Sequence, residues 1–345
     1  MKGLILAAGL GTRLRPLTRP PSEGGRSKPL VPLANQPLIA YPLQKLILAG
    51  ITDIGIVVGE NEDELRTGLH RVPAELTFIP QPHPRGLAHA VDCAREFVGA
   101  DDFTLLFCDN LFAEPLSYAL AEWERLRIGE PSMHAMIHTY PMPDPRACGV
   151  AVVQNGWVVE LEEKPAVAKS NLAVIGIDLL TPAIFEAISR IEPSARGELE
   201  ITDAIAELIS IGHKVRARHL SGFWFDTGTF ADLISAHRPV MEEFGAFQAQ
   251  GRYARSELRG PVGIARESAV EDSTIDGPVL VDSNSLVTGS WLGPYVSVGK
   301  DCTVAGCTLS DCQVYAGTRL SGVSAAGSIF DGELRFTADG LVAGP

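Results

Sequence analysis

From the N-terminus to about residue 240, short runs of apolar and β-branched residues alternate with stretches of helical periodicity. Leu4 to Ala8, Ile54 to Val58, Leu76 to Ile79 and Phe103 to Phe107 read as strands. Between them, the pattern predicts a helix over Leu38 to Ala49, closed by Gly50, and another over Leu87 to Phe97, opening beside Gly86. Later, Ile201, Ala204, Ile205, Leu208 and Ile209 share one helical face, with Gly212 just past its end. Strands alternating with helices imply right-handed crossovers and a mainly parallel sheet covered on both faces. The expected fold class is therefore α/β and Rossmann-like, with ligands at the C-terminal ends of the strands.

After about residue 245 helical periodicity stops, and apolar residues recur every six positions. Leu258, Ile264 and Val270 are so spaced, as are Val281 and Val287; Leu292, Val298 and Val304; and Val314 with Leu320. One apolar residue per hexad is the pattern of a parallel β-helix, whose narrow core takes one side chain from each flat side. The phase slips near Ile275 and Leu309 read as imperfect coils. The expected organisation is a catalytic domain at 1–240, a linker at 241–256 and a β-helix at 257–345, its last coil capped from about Ser321 onward.

Charge and composition narrow the partners. The net charge of −13 argues against a nucleic-acid or anionic-membrane binder. No apolar run approaches the roughly 20 residues of a spanning helix, and the start reads as a first strand, which places the expected chain in the cytoplasm. Cys93, Cys108, Cys148, Cys302, Cys307 and Cys312 form no CxxC pair and read as small buried hydrophobes. Locally the charge reverses. Between Leu10 and Leu30 stand Arg13, Arg15, Arg19, Arg26 and Lys28 against the single acid Glu23, which points to a small polyanion.

Those cations frame a glycine-rich loop, Leu6-Ala7-Ala8-Gly9-Leu10-Gly11-Thr12-Arg13-Leu14-Arg15-Pro16-Leu17, followed by Ser27-Lys28-Pro29-Leu30-Val31-Pro32. Glycines after a first strand let backbone N–H groups approach phosphates. The loop lacks the Gly-Lys-Ser/Thr of a Walker motif and the third glycine of a dinucleotide fingerprint. A plain strand-to-helix turn would need the glycines but not the two arginines and the lysine. Asp109 follows the apolar strand Phe103 to Phe107, and Asp226 follows a second apolar run. Two such carboxylates could form a pair for Mg²⁺, which prefers oxygen ligands, but taken alone each Asp is more often a cap or turn residue than a ligand.

These residues resemble the sugar nucleotidylyltransferases, whose first signature reads GxGTRLxPLT followed by KPLxPV. The likeness continues through Gln81 to Val91 (QPHPRGLAHAV), Phe107-Cys108-Asp109-Asn110, Gly149-Val150-Ala151 and Glu162-Glu163-Lys164-Pro165. It extends through Lys169 to Gly176, Arg196 to Asp203 and Trp224-Phe225-Asp226-Thr227-Gly228, all in the family's order. Gly260-Pro261, Gly277-Pro278 and Gly293-Pro294 carry it into the β-helix, as in the family's long form with a left-handed β-helix.

The resemblance implies a Mg²⁺-dependent enzyme joining dTTP to glucose-1-phosphate with release of pyrophosphate. It places Arg15 and Lys28 on the triphosphate and Lys164 on the sugar phosphate as catalytic cations, with Asp109 and Asp226 on the metal. It implies nucleotide contacts from Ala8, Gly9, Gly11, Thr12, Arg13, Gln81 and Gly86, the last two facing the base. The sugar phosphate would meet Asn110, Gly149, Glu163, Lys164, Val174 and Trp224. A homo-oligomer is expected. The chain departs from the pattern at Ala8 and Cys108, where glycine is usual, at Asp178, where tyrosine is common, and in a longer segment over residues 19 to 27. These departures leave UTP as the alternative nucleotide. Two other readings are a non-catalytic regulatory subunit, disfavoured because the charged set is complete, and an added acyltransferase, disfavoured because no histidine follows His237.

Overall fold

The computed structural model describes residues 1–19 and 25–342. The longer segment noted at residues 19 to 27 therefore lies largely outside the described residues. Contacts divide the chain into two compact units. One comprises Met1–Leu10, Pro20–Leu30 and Ile39–Trp224; the other comprises Gly11–Arg19, Val31–Leu38 and Phe225–Pro345.

The first unit is built on a nine-stranded sheet. Its strands in chain order are β1 (Lys2–Leu6), β2 (Asp53–Val58), β3 (Glu75–Pro80), β4 (Phe103–Phe107) and β5 (Met133–Pro141). They continue as β6 (Gly149–Gln154), β7 (Trp157–Glu163), β8 (Leu172–Leu180) and β9 (Lys214–His219). Their spatial order is β3-β2-β1-β4-β8-β5-β9-β7-β6. The parallel arrangement expected from the alternation holds from β3 to β4. Beyond β4 the sheet is mixed: β8 runs antiparallel to both β4 and β5, and β6 and β7 form a hairpin. The hairpin turn is Asn155-Gly156, with φ of 51° and 81°, the left-handed pair that a two-residue connection needs.

Strand alternation sorts the core into two layers. Leu4 and Leu6 of β1 join a cluster with Ala88, Val91, Ile201 and Ile205, whereas Ile5 and Ala7 join one with Leu43, Leu46 and Trp123. Each leucine, isoleucine or valine among them contributes about 1.5–3 kcal/mol on burial. The helix predicted at Leu38 to Ala49 forms over Ala40–Leu48, and that at Leu87 to Phe97 forms as Leu87–Cys93 and Arg95–Val98.

In the second unit the helix Phe230–Phe244 is followed by parallel coils. Glu257 pairs with Thr274, Thr274 with Trp291 and Trp291 with Thr308. Equivalent residues in these coils are thus 17 apart. Two sides advance by six residues and the third by five, as Leu258, Ile264, Val270 and Ile275 show. The slip at Ile275 marks this shorter side, whereas Leu309 marks an imperfect coil as expected, because from there the register drops to 16, with Val298 paired to Val314; both residues sit in the core. The last coil is covered by Leu334–Thr337 and Gly340–Val342, which run antiparallel; Phe336 stacks on Phe230 with ring centroids 4.7 Å apart.

Candidate active site

In the first unit the glycine-rich segment leaves β1 between β2 and β4. Ala7 donates its N–H to the Val57 carbonyl at 2.8 Å, and Asn61 Nδ2 donates to the Ala7 carbonyl at 3.0 Å. The chain is thereby held at the C-terminal edge of the parallel strands, with Ala8 half-buried and Gly9 exposed. At the end of β3, the buried Gln81 bonds through its backbone N–H to Val58 at 2.7 Å. Gly86 has φ 107°, and a Cβ there would lie 2.4 Å from the Leu199 carbonyl, so the position excludes other residues. That approach is tied by hydrogen bonds from Leu199 N–H to Arg85 O (2.8 Å) and from Ala88 N–H to Leu199 O (2.9 Å).

Asp109 follows β4 directly. Its carboxylate pairs with the ammonium of the buried Lys28 and accepts from Asn110 Nδ2 at 3.0 Å. Burial works against ionisation of Asp109, but the Lys28 charge and the hydrogen bonds from Lys28 and Asn110 outweigh it and hold the carboxyl below its usual range. Asn110 is itself fixed: its Oδ1 accepts from Trp224 Nε1 at 2.7 Å and from the Gly176 N–H at 3.3 Å. Gly176 sits where the β8 register slips between Ile175 and Asp178, and a Cβ there would lie 2.2 Å from the Phe107 ring. His138 supports the slip, its Nδ1–H donating to the Ile177 carbonyl at 2.7 Å. Burial pushes the His138 pKa down to about 4, so the ring is neutral.

The third cluster in this unit lies on β6, β7 and β8. Gly149 is in register with Val174 on one side and Glu163 on the other. Glu163 Oε2 accepts from Thr202 Oγ1 at 2.8 Å, and its Oε1 lies 3.4 Å from both Lys164 Nζ and Arg196. Lys164 adopts φ 43° and remains exposed, with its N–H bonded to the Cys148 carbonyl at 3.1 Å. Arg196 also pairs at 2.6 Å with Glu200, which is buried.

In the second unit, Gly11 at φ 62° opens a single 3-10 turn over Thr12–Leu14. Thr18 Oγ1 donates to the Gly11 carbonyl at 2.7 Å, and the Arg13 guanidinium lies against Gly228. Arg13 and Arg15 are exposed. Asp226 is half-buried three residues before Thr229, the N-cap of the helix Phe230–Phe244. The cap is a reciprocal box in which Thr229 and Asp232 each bond the other's backbone N–H.

The family profile described as "Nucleotidyl transferase" matches residues 2–243. The chain belongs to this family. A glucose-1-phosphate thymidylyltransferase of Streptomyces griseus is 40% identical over 94% of this chain and 89% of its own length. A crystal structure described as a glucose-1-phosphate thymidylyltransferase of Bacillus anthracis superposes with a TM-score of 0.62 and is 34% identical, covering 69% of this chain and 94% of that one. A UDP-glucose pyrophosphorylase complexed with UDP-glucose gives a TM-score of 0.61 at 25% identity, covering 70% and 98%.

As a nucleotidyltransferase the chain belongs to a group that works with divalent metal ions. The Asp109 carboxylate fits such an ion, since it is ionised, mostly buried and already balanced by a cation. Among the described residues no cluster of three His, Cys, Asp or Glu side chains forms a metal site by itself. A site built from one or two carboxylates therefore needs substrate oxygens or water to complete the shell. The six cysteines form no disulfide; four are buried and Cys93 and Cys148 half-buried. Residue reading assigned no role to Thr202, Arg196 or His138. Thr202 and Arg196 fall within the Arg196–Asp203 motif, but their convergence on Glu163 depends on helix and sheet packing. No helix of the described residues is long and apolar enough to cross a membrane.

Proposed function

We propose that this nucleotidyltransferase is a glucose-1-phosphate thymidylyltransferase, joining dTTP and glucose-1-phosphate to give dTDP-glucose and pyrophosphate. The observation that carries the reading is the chain Lys28–Asp109–Asn110 at the C-terminal end of β4, in a protein that matches a relative of that name along 94% of its length. An oxygen of the sugar phosphate attacks the α-phosphorus in line with the departing pyrophosphate, so no nucleophilic side chain is required.

Asp109 and Asp226 would hold Mg²⁺, whose charge offsets that of the phosphates when it is bound. Lys28 and Arg15 would bind the triphosphate, and Arg13 and the backbone of Ala8, Gly9, Gly11 and Thr12 would complete the phosphate cradle. Gln81 and Gly86 meet the base. Lys164 takes the sugar phosphate, while Glu163 and Asn110, held by Thr202, Arg196 and Trp224, orient the hydroxyls and exclude loose binding.

The test is pyrophosphate release with Mg²⁺ across dTTP, UTP, CTP, GTP and ATP, each with glucose-, galactose-, mannose- or N-acetylglucosamine-1-phosphate. Strongest turnover is expected with dTTP and glucose-1-phosphate. Asp109→Ala should lower kcat by at least about 100-fold, the scale of losing a charge-stabilising group. Preference for UTP would move the assignment to a uridylyltransferase; absence of turnover with every pair would favour a regulatory subunit.

A further inference from the structure

Gln81 is bound by two acceptors through a single nitrogen. Its Nε2 lies 3.2 Å from the Gly86 carbonyl oxygen and 3.0 Å from His89 Nδ1. A carbonyl oxygen can only accept, so the amide atom facing Gly86 must be the nitrogen rather than the oxygen. The second N–H of that nitrogen then needs an acceptor at His89, which requires a neutral ring with its proton on Nε2. The remaining ring nitrogen faces Cys93 Sγ, a weak acceptor, at 4.0 Å. Burial lowers the His89 pKa, and Arg85 and His83 act in the same direction against the opposing charge of Asp92. With both amide N–H groups engaged, Gln81 Oε1 takes no hydrogen bond from any described residue.

We infer that His89 is a positioning residue for base selection: together with the Gly86 carbonyl it locks the Gln81 amide with its oxygen outward, so the site accepts the N3–H of thymine or uracil and rejects cytosine. The inference rests on Gln81 meeting the base, as proposed above. A 4-keto pyrimidine carries a proton on N3, whereas N3 of cytosine is itself an acceptor. Opposite Oε1, cytosine would set two acceptors face to face, and a site built around a hydrogen bond rejects a ligand that cannot make it far more strongly than an apolar pocket does. The 5-methyl group and the ribose hydroxyl lie outside this contact, so His89 has no bearing on dTTP against UTP.

The experiment is kcat/KM for dTTP, UTP and CTP with saturating glucose-1-phosphate in the full-length wild type, His89→Leu and His89→Gln. His89→Leu removes one of the two acceptors that hold the amide and leaves only the longer bond to the Gly86 carbonyl, which weakens the lock. It is expected to lower the dTTP-to-CTP ratio by about tenfold or more, one hydrogen bond's worth of discrimination, while leaving the dTTP-to-UTP ratio within about twofold. His89→Gln restores an acceptor and is expected to keep the wild-type ratio. His89→Phe replaces the leucine variant if the latter does not fold. An unchanged dTTP-to-CTP ratio in the variant lacking the acceptor, or an equal loss for all three nucleotides, overturns the inference. A Gln81→Leu variant with wild-type discrimination would instead remove the reading of Gln81 on which it stands.

Discussion

Asp178 lies on β8 between Leu105 of β4 and Ile137 of β5, both part of the apolar layer. It is 1% exposed, its Oδ1 has no hydrogen-bond partner among the described residues, and burial raises its pKa well above the carboxylate range. The folded chain therefore keeps the proton at pH values where the unfolded chain has lost it. Stability from this group is fully present below the unfolded pKa near 4 and is lost as pH rises above it, at about 1.4 kcal/mol per pH unit while the buried acid stays protonated. Asp178→Asn, which cannot ionise, is expected to be close to wild type at about pH 4 and progressively more stable than it above that pH. Urea denaturation at a series of pH values checks this; a gap that does not widen with pH would show that Asp178 ionises at little cost. The substitution of an acid for the tyrosine common in the family was plain in the sequence. Its burial without a partner depended on β4 and β5 closing on it.

At the scale of elements, the β-helix is held as much by side chains at its corners as by its apolar core. Ser273, Ser290 and Cys307 donate their N–H groups to Ser256, Ser273 and Ser290 Oγ respectively, at 3.0–3.1 Å. Ser290 Oγ also donates to the Thr288 carbonyl at 2.8 Å. Ser290→Ala leaves the buried Cys307 N–H without this acceptor and should cost about 1–3 kcal/mol. Ser290→Cys should cost less, because Cys307 already fills the equivalent corner one coil later. Chemical denaturation followed by the fluorescence of the adjacent Trp291 measures both; equal losses would show that the hydroxyl bond is not what the corner requires. The same geometry buries Cys307, Cys302 and Cys312. They replace corner or core groups, and burial pushes the thiols of Cys302 and Cys312 up to about 11.

At the scale of the whole molecule, the second unit gathers chain from three places, so the β-helix shares its unit with Gly11–Arg19 and Val31–Leu38. Tyr315 of the β-helix donates its hydroxyl to the Pro32 carbonyl at 2.8 Å, and Asn35 Nδ2 donates to the Val298 carbonyl at 2.9 Å. The helix Phe230–Phe244 lies in the same unit, with Phe230 on Phe336 and the Leu233 carbonyl accepting from Gln313 at 3.4 Å. A chain ending after Phe244 would expose that apolar helix face and remove the partners of Pro32 and Asn35, which follow Lys28 closely in the chain. It is expected to aggregate, and its soluble fraction to lose at least about tenfold in kcat/KM for the triphosphate, the effect of a loosened charge-binding group. Size-exclusion chromatography and pyrophosphate release test this; a monomeric fragment with wild-type kcat/KM would show that the β-helix is dispensable to the loop.

The sequence by itself determined the class of element at most positions, because period two, period 3.6 and period six each bury a different set of side chains. It also determined the family, because the glycines, cations and acids that carry the resemblance stand in contiguous motifs. Only the tertiary structure decided the antiparallel half of the sheet, the coils of 17 and then 16 residues behind the phase slips, and the partners of the charged residues. The physical reason is range. Lys28 and Asp109 are 81 positions apart, Thr202 and Glu163 are 39 apart, and the hydrogen bonds that orient them form only when strands distant along the chain pair in one register.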